Sequence, residues 1–200
     1  PLQQLKLLLT NCKTSQRDVA MTEPLYQKVH ECGKLLSQTA DNKAQGRINS
    51  DLTSLQKQWL EIVTTLDARK EWVEGLLGAW QDTEEGMEDT LAWLKQIRHE
   101  VTRDLPHNYD DLHLAHQQCQ EFERAFENAA DKRGSLTQRY QQLSGAVSAE
   151  DTGILLQRLQ LLDSQWGEIE HQVALRKQRA EERLARWTVF GDRIRDLVDG

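Results

Sequence analysis

A five-residue phrase, Gln-Trp-x-Glu-Ile, occurs twice, ending at Ile62 and again at Ile169. Its tryptophans, Trp59 and Trp166, stand 107 residues apart, and the register extends well beyond the phrase. An ungapped shift by that interval places Ile48, Leu52, Leu55 and Leu66 on Leu155, Leu159, Leu162 and Val173. It also places Cys12 on Cys119, Arg17 on Arg124, Leu36 on Leu143 and Trp80 on Trp187. Self-similarity at a fixed period marks a repeat architecture.

The spacing inside each copy identifies the element that repeats. Leu155, Leu159, Leu162, Trp166, Ile169 and Val173 are separated by alternating steps of four and three, which lays one apolar stripe along an α-helix. Leu112, Ala115, Cys119, Phe122, Phe126, Leu136 and Leu143 form a second stripe. Met87, Thr90, Leu94, Ile97 and Val101 form a third, with Trp93 beside it. One copy therefore holds three amphipathic helices and no strand. Three helices of roughly thirty residues, each about 45 Å long, fill such a period when folded back on one another.

Local signals mark the ends. In "DLPHNYDD" Pro106 stops a helix, and Asn108 caps the next with Asp110 and Asp111 in its first turn. In "LSGAVSAED" Gly145 is expected to terminate one helix, while Ser148 and Asp151 form the capping pair of the following one. Asp41 falls on Ser148 in register and should cap likewise. Pro24 is expected to kink or break its helix, because proline removes a donor and clashes with the preceding turn. No Pro or loop signal separates Trp59 from Trp93, so the last helix of one copy is expected to run into the first helix of the next.

These residues resemble the spectrin repeat. "TLAWLKQIRHEV" is similar to that family's first-helix signature, with Trp93 in the tryptophan position; Trp166 is similar to the third-helix tryptophan, and Trp59 to its counterpart one repeat earlier. The resemblance implies an all-α fold of tandem three-helix left-handed coiled-coil bundles joined by a continuous helical linker. It divides the chain into an incomplete repeat at 1–78 holding the second and third helices only, a complete repeat at 79–188, and the start of a further first helix at 189–200. The first copy departs from the family in lacking its first helix, and Cys12 and Cys119 stand near where the family often carries a His. Among its members the divergent, acidic copies look most like giant linkers such as nesprins, with spectraplakins, dystrophin-like proteins and spectrin itself as alternatives. Such a protein acts as an elastic spacer and docking surface connecting actin to a membrane or the nuclear envelope. The alternative is a dedicated module recruiting an actin regulator or motor adaptor.

Composition narrows the remaining chemistry. The net charge is −7, and residues 81–200 carry fifteen Lys/Arg against twenty-three Asp/Glu, a surface that repels phosphate backbones, so no nucleic acid is expected as a partner. Cys12, Cys32 and Cys119 are odd in number and widely spread, which argues for a reducing compartment; the resemblance implies the cytoplasm and its cytoskeleton. No apolar run is long enough to span a membrane, so direct insertion is not expected, and any link to the outer nuclear membrane would lie elsewhere in a parent protein. The chain opens on Pro and is expected to be a piece of something longer. Phosphate loops, nucleophile elbows and zinc-protease motifs are missing, which argues against an enzyme.

Candidate functional residues fall into groups. Trp59, Trp93, Trp166, Phe122, Phe126 and Ile169 are expected in the core. Trp72, Trp80 and Trp187 lie near the joins, as linker wedges or as a partly exposed ring. Leu114, Leu161 and Leu175 lie off their stripes and are candidates for partner docking, although the wide buried face of a bundle helix would also account for them. His113, His116 and Cys119 share a helix face, but no second cluster completes a zinc site, and no metal or cofactor is expected. "RKQRAEERLAR" (176–186) reads as a salt-laced helix surface rather than a lipid site. The stripes of the first copy, lacking a third partner, would face water. That copy is expected to borrow a helix from another chain or from further sequence of its own.

Overall fold

The computed structural model describes residues 2–200; Pro1, the register mate of Asn108, lies outside the described residues. Four helices account for nearly all of the described residues: α1 (Leu2–Thr39), α2 (Asn42–Val101), α3 (Tyr109–Ala146) and α4 (Ala149–Asp199). The fold is all-α, with no strand among the described residues. The chain divides into two compact units, one ending at Trp80 and the other running from Gln81 to Gly200. Helix α2 contributes to both, without a turn between Trp59 and Trp93.

The first unit is an antiparallel hairpin of α1 and the early part of α2. Asp41 caps α2 by accepting from the Ala44 amide at 2.8 Å. Contacts then pair the two helices along their length. Near the turn, the Ser37 hydroxyl donates to Asn49 Oδ1 at 2.8 Å. Gly33 sits so close to Leu52 that an added Cβ would come within 2.6 Å of it. Midway, Tyr26 stacks on Trp59 at 4.6 Å between centroids, and farther out Gln16 Nε2 donates to Asp67. Of the kink or break expected at Pro24, the break does not occur, and α1 continues through it. Pro24 and Ala20 are both exposed, so the carbonyl deprived of its donor is solvated rather than orphaned.

The second unit packs α2 from residue 81 onward with α3 and α4. Asn108 accepts from the Asp111 amide at 2.8 Å and Ser148 from the Asp151 amide, so both caps are as expected. Gly145 does not terminate α3; the helix continues to Ala146, and Val147 closes it in an extended conformation with its amide bonded to Leu143 O. An αL glycine is unnecessary where the cap residue leaves the helix through the β region.

One aromatic ring from each helix meets at the centre of this unit. Trp93 lies 5.0 Å from Phe126 and 5.6 Å from Trp166, and Phe126 meets Trp166 edge-on at 5.1 Å. These separations suit the offset and edge contacts that aromatic quadrupoles favour. The Arg133 guanidinium covers the outer face of Trp166 at 5.1 Å and bonds Asp163 at 2.8 Å. Tyr26 is the register mate of Arg133, so each copy lids its third-helix indole from the same position, with a phenol in one and a guanidinium in the other. Above and below, Met87, Leu94, Leu112, Leu136, Leu155 and Leu162 are buried from three sides.

Trp166 is buried whereas Trp59 is half-buried. Trp166→Ala should lower stability by roughly 3–5 kcal/mol in urea unfolding followed by circular dichroism. Trp59→Ala should cost distinctly less, because fewer of its contacts exist to be lost. Equal losses would contradict the difference in packing.

Candidate functional site

Burial compared across the register exposes an incomplete surface. Ile169 is fully buried, but its mate Ile62 is 49% exposed. Leu143 is 1% exposed and its mate Leu36 59%. Val29 and Leu8 are likewise exposed where Leu136 and Ala115 are buried. Ile62 had been expected on the first copy's stripe; Val63 instead faces the hairpin groove, since two helices bury a narrower arc than three. The groove is an open hollow of about 330 Å³ lined by Val19, Ala20, Trp59, Val63 and Leu66. Val19 and Trp59 are the mates of Phe126 and Trp166, the two rings that hold Trp93 in the complete unit. The hollow thus has the outline of a seat for a helix bearing a large side chain.

The expected core residues of the complete unit are inside to different degrees. Trp166, Phe126 and Ile169 are buried, while Trp93 and Phe122 are half-buried at the edge of the cluster. The three tryptophans near the joins part company: Trp80 is buried, whereas Trp72 and Trp187 are exposed. Trp187 meets Phe190 edge-on, and both line an open hollow of about 440 Å³ with Pro106, Leu112, Arg183 and Arg186. Leu114, Leu161 and Leu175 all reach the surface, so the wide buried face does not extend to them.

The basic run has a role that side-chain spacing alone could not reveal. Arg176 donates to the carbonyls of Val101 and Arg103, and Arg183 donates to the carbonyl of Leu105 at 3.3 Å. Those carbonyls belong to the end of α2 and the loop beyond it, where intrahelical donors have run out. Two guanidiniums on α4 therefore fasten the loop that turns α2 into α3. Lys177 bonds Glu123 at 2.7 Å, and that carboxylate holds the ammonium above its ordinary range. The histidines are engaged within their surroundings: His116 pairs with Glu181 at 2.9 Å, while His113 stacks on Tyr109 and meets Gln117.

Cys12 and Cys119 are buried and Cys32 is exposed. Burial pushes the Cys119 thiol above its usual range, opposed by the nearby Arg176. The described residues gather no cluster of His, Cys, Asp and Glu suited to a metal ion, and no described helix is long and apolar enough to cross a membrane. The geometry is that of packing surfaces.

The spectrin-repeat family model matches residues 79–182, just over half of the chain. The chain therefore belongs to the spectrin-repeat family. It is 24% identical to mouse nesprin-2 over 194 residues, 97% of the chain, and 25% identical to human nesprin-2 over 167 residues, 84% of it. It spans only 3% and 2% of the lengths of those relatives.

Thiol labelling at mildly alkaline pH should modify Cys32 first, with Cys12 and Cys119 protected until the helices part. The raised Cys119 pKa also sets a sign for pH. The stability it contributes is fully present below the ordinary thiol pKa and falls as pH rises through it, because the unfolded thiol ionises first. Rapid modification of Cys119 in the folded chain would refute its placement.

Proposed function

We propose that the chain is a structural segment of a large cytoskeletal linker, similar to nesprins, that sets distance and bears load between actin and a membrane or the nuclear envelope. Its place would be the cytoplasmic cytoskeleton, and its partners other cytoskeletal or adaptor proteins. The observation that carries this reading is a helix, α2, shared by two units that each have their own packing. Units of this kind have near-additive stability, so one can open while its neighbour holds. In this reading residues 1–78 are a repeat lacking its first helix, 79–188 a complete one, and 189–200 the start of another. Trp72, Trp80 and Trp187 belong to the joins. Self-association through residues 1–78 belongs to this reading as a candidate interaction, with Leu36, Ile62 and Val29 exposed on that unit.

A second reading, a docking module for an actin regulator or motor adaptor, is favoured by the outward placement of Leu114, Leu161 and Leu175. Replacing all three with Glu should abolish capture of such a partner and leave the melting temperature nearly unchanged. Concurrent melting would reassign them to the fold.

Mechanical extension of the chain should give separate opening events for its two units, the hairpin yielding at lower force. A single rupture of the whole chain would count against a role as a segmented load-bearing spacer.

A further inference from the structure

Charges along the seam between α2 and α4 are matched until the seam ends. Arg158 of α4 meets Glu84 at 3.6 Å and Glu88 at 3.7 Å, and Glu168 meets Arg98 of α2 at 3.3 Å. Past Val101 the pattern changes. Arg176, Arg179 and Arg183, spaced three and four apart, share one side of α4 and line an open hollow of about 380 Å³ with Arg103, Asp104 and Leu175. Among the described residues these three α4 guanidiniums have no carboxylate partner; Arg176 and Arg183 meet backbone carbonyls instead. We propose that this hollow binds an acidic segment of a partner protein, with its carboxylates held by Arg179 and Arg183 and an apolar side chain resting on Leu175. This deepens the docking reading above, on which it rests, by naming the chemistry of the docked segment.

The interleaved acids of the run 176–186 do not neutralise the arginine side, because the helix sorts them to other faces. Lys177 and Glu181 turn towards α3, where Glu123 and His116 meet them at 2.7 and 2.9 Å. Glu182 accepts from Gln178. In the hollow itself Glu100 holds Arg103 at 3.1 Å and Asp104 stands on the rim, so four guanidiniums face two carboxylates. The C-terminus of α2 offsets roughly half a charge more. A positive excess therefore remains on a chain whose net charge is −7. The distant acidic surface does little against it, since screening confines exposed charges to about 8 Å at physiological ionic strength.

Geometry favours carboxylates on a protruding chain. A guanidinium offers several N–H groups in a planar fork that matches a carboxylate. Arg183 gives Nη1 to Leu105, and Arg179 makes no hydrogen bond among the described residues, so donors are left to face outward. Leu175, 37% exposed at the edge, would be left uncovered by a small free anion but covered by a side chain of a peptide. A bilayer is flat on this scale and meets a recessed hollow poorly. Every lining residue precedes Leu184, within the three-helix unit.

The probe is a fluorescent peptide of alternating Glu and Leu, titrated with the full chain and followed by anisotropy. Saturable binding that weakens with added salt is expected, and a Lys/Leu peptide should not bind. R179E alters an exposed side chain with no bond in the fold, so it should weaken binding several-fold with helicity and melting temperature unchanged. L114E/L161E, away from the hollow, should bind the peptide as the wild type does. Unchanged affinity in R179E would overturn the site, and if L114E/L161E abolished binding in the same assay the docking role of the leucines would still stand. Equal binding of the Lys/Leu peptide would overturn the role of charge. Binding of phosphatidylserine vesicles without binding of the Glu/Leu peptide would overturn a protein partner in favour of a lipid surface.

Discussion

Three aromatic rings meeting between three helices determine what the rest of this chain can be. A helix presents a narrow stripe, and water is excluded from it only when neighbours cover it from two directions. Trp93, Phe126 and Trp166 supply that coverage with large, stiff groups, one from each helix. Their contacts fix the axial register, because a helix shifted by one turn would carry its ring past the other two. Leucine layers above and below then find their partners without further specification. The lid on Trp166 is polar and half-exposed, so it shields the ring without needing a fourth helix.

Where this triangle is incomplete, the same sequence pattern yields a different surface. The first unit keeps Trp59 and its lid, but Val19 stands in for Phe126 and nothing in the hairpin occupies the position of Trp93. Ile62, Leu36 and Val29 then stay in water although their mates are buried. The three-helix unit presents a charged exterior with scattered leucines, and the hairpin presents an open apolar groove.

Much of the fold could be read from the residues alone. The four-and-three spacing located the helices, and Asp41, Asn108 and Ser148 cap where their side chains suggested. The missing turn in α2 followed from the lack of any breaker between Trp59 and Trp93. Other features depend on neighbours that one-dimensional spacing cannot supply. Pro24 is tolerated because its face is solvated, and Gly145 is passed over because Val147 can leave the helix without a positive φ. Trp72, Trp80 and Trp187 look alike as letters, yet their exposure differs because covering atoms come from elsewhere in the chain. Arg176 and Arg183 are legible as charges, but their acceptors are backbone carbonyls, which every residue has and no sequence pattern marks.

The proline in α1 has a further consequence. Three threonines on that helix, Thr10, Thr14 and Thr22, turn their hydroxyls back onto the carbonyls one turn earlier. Such bonds share acceptors already used by the helical ladder and bend it slightly. Two residues beyond the last of them, Pro24 leaves a rung of the ladder without its amide. Because Pro24 and Ala20 both face water, the freed carbonyl is hydrated, and the middle of α1 keeps its helical course with one rung of its ladder supplied by solvent instead of by an amide.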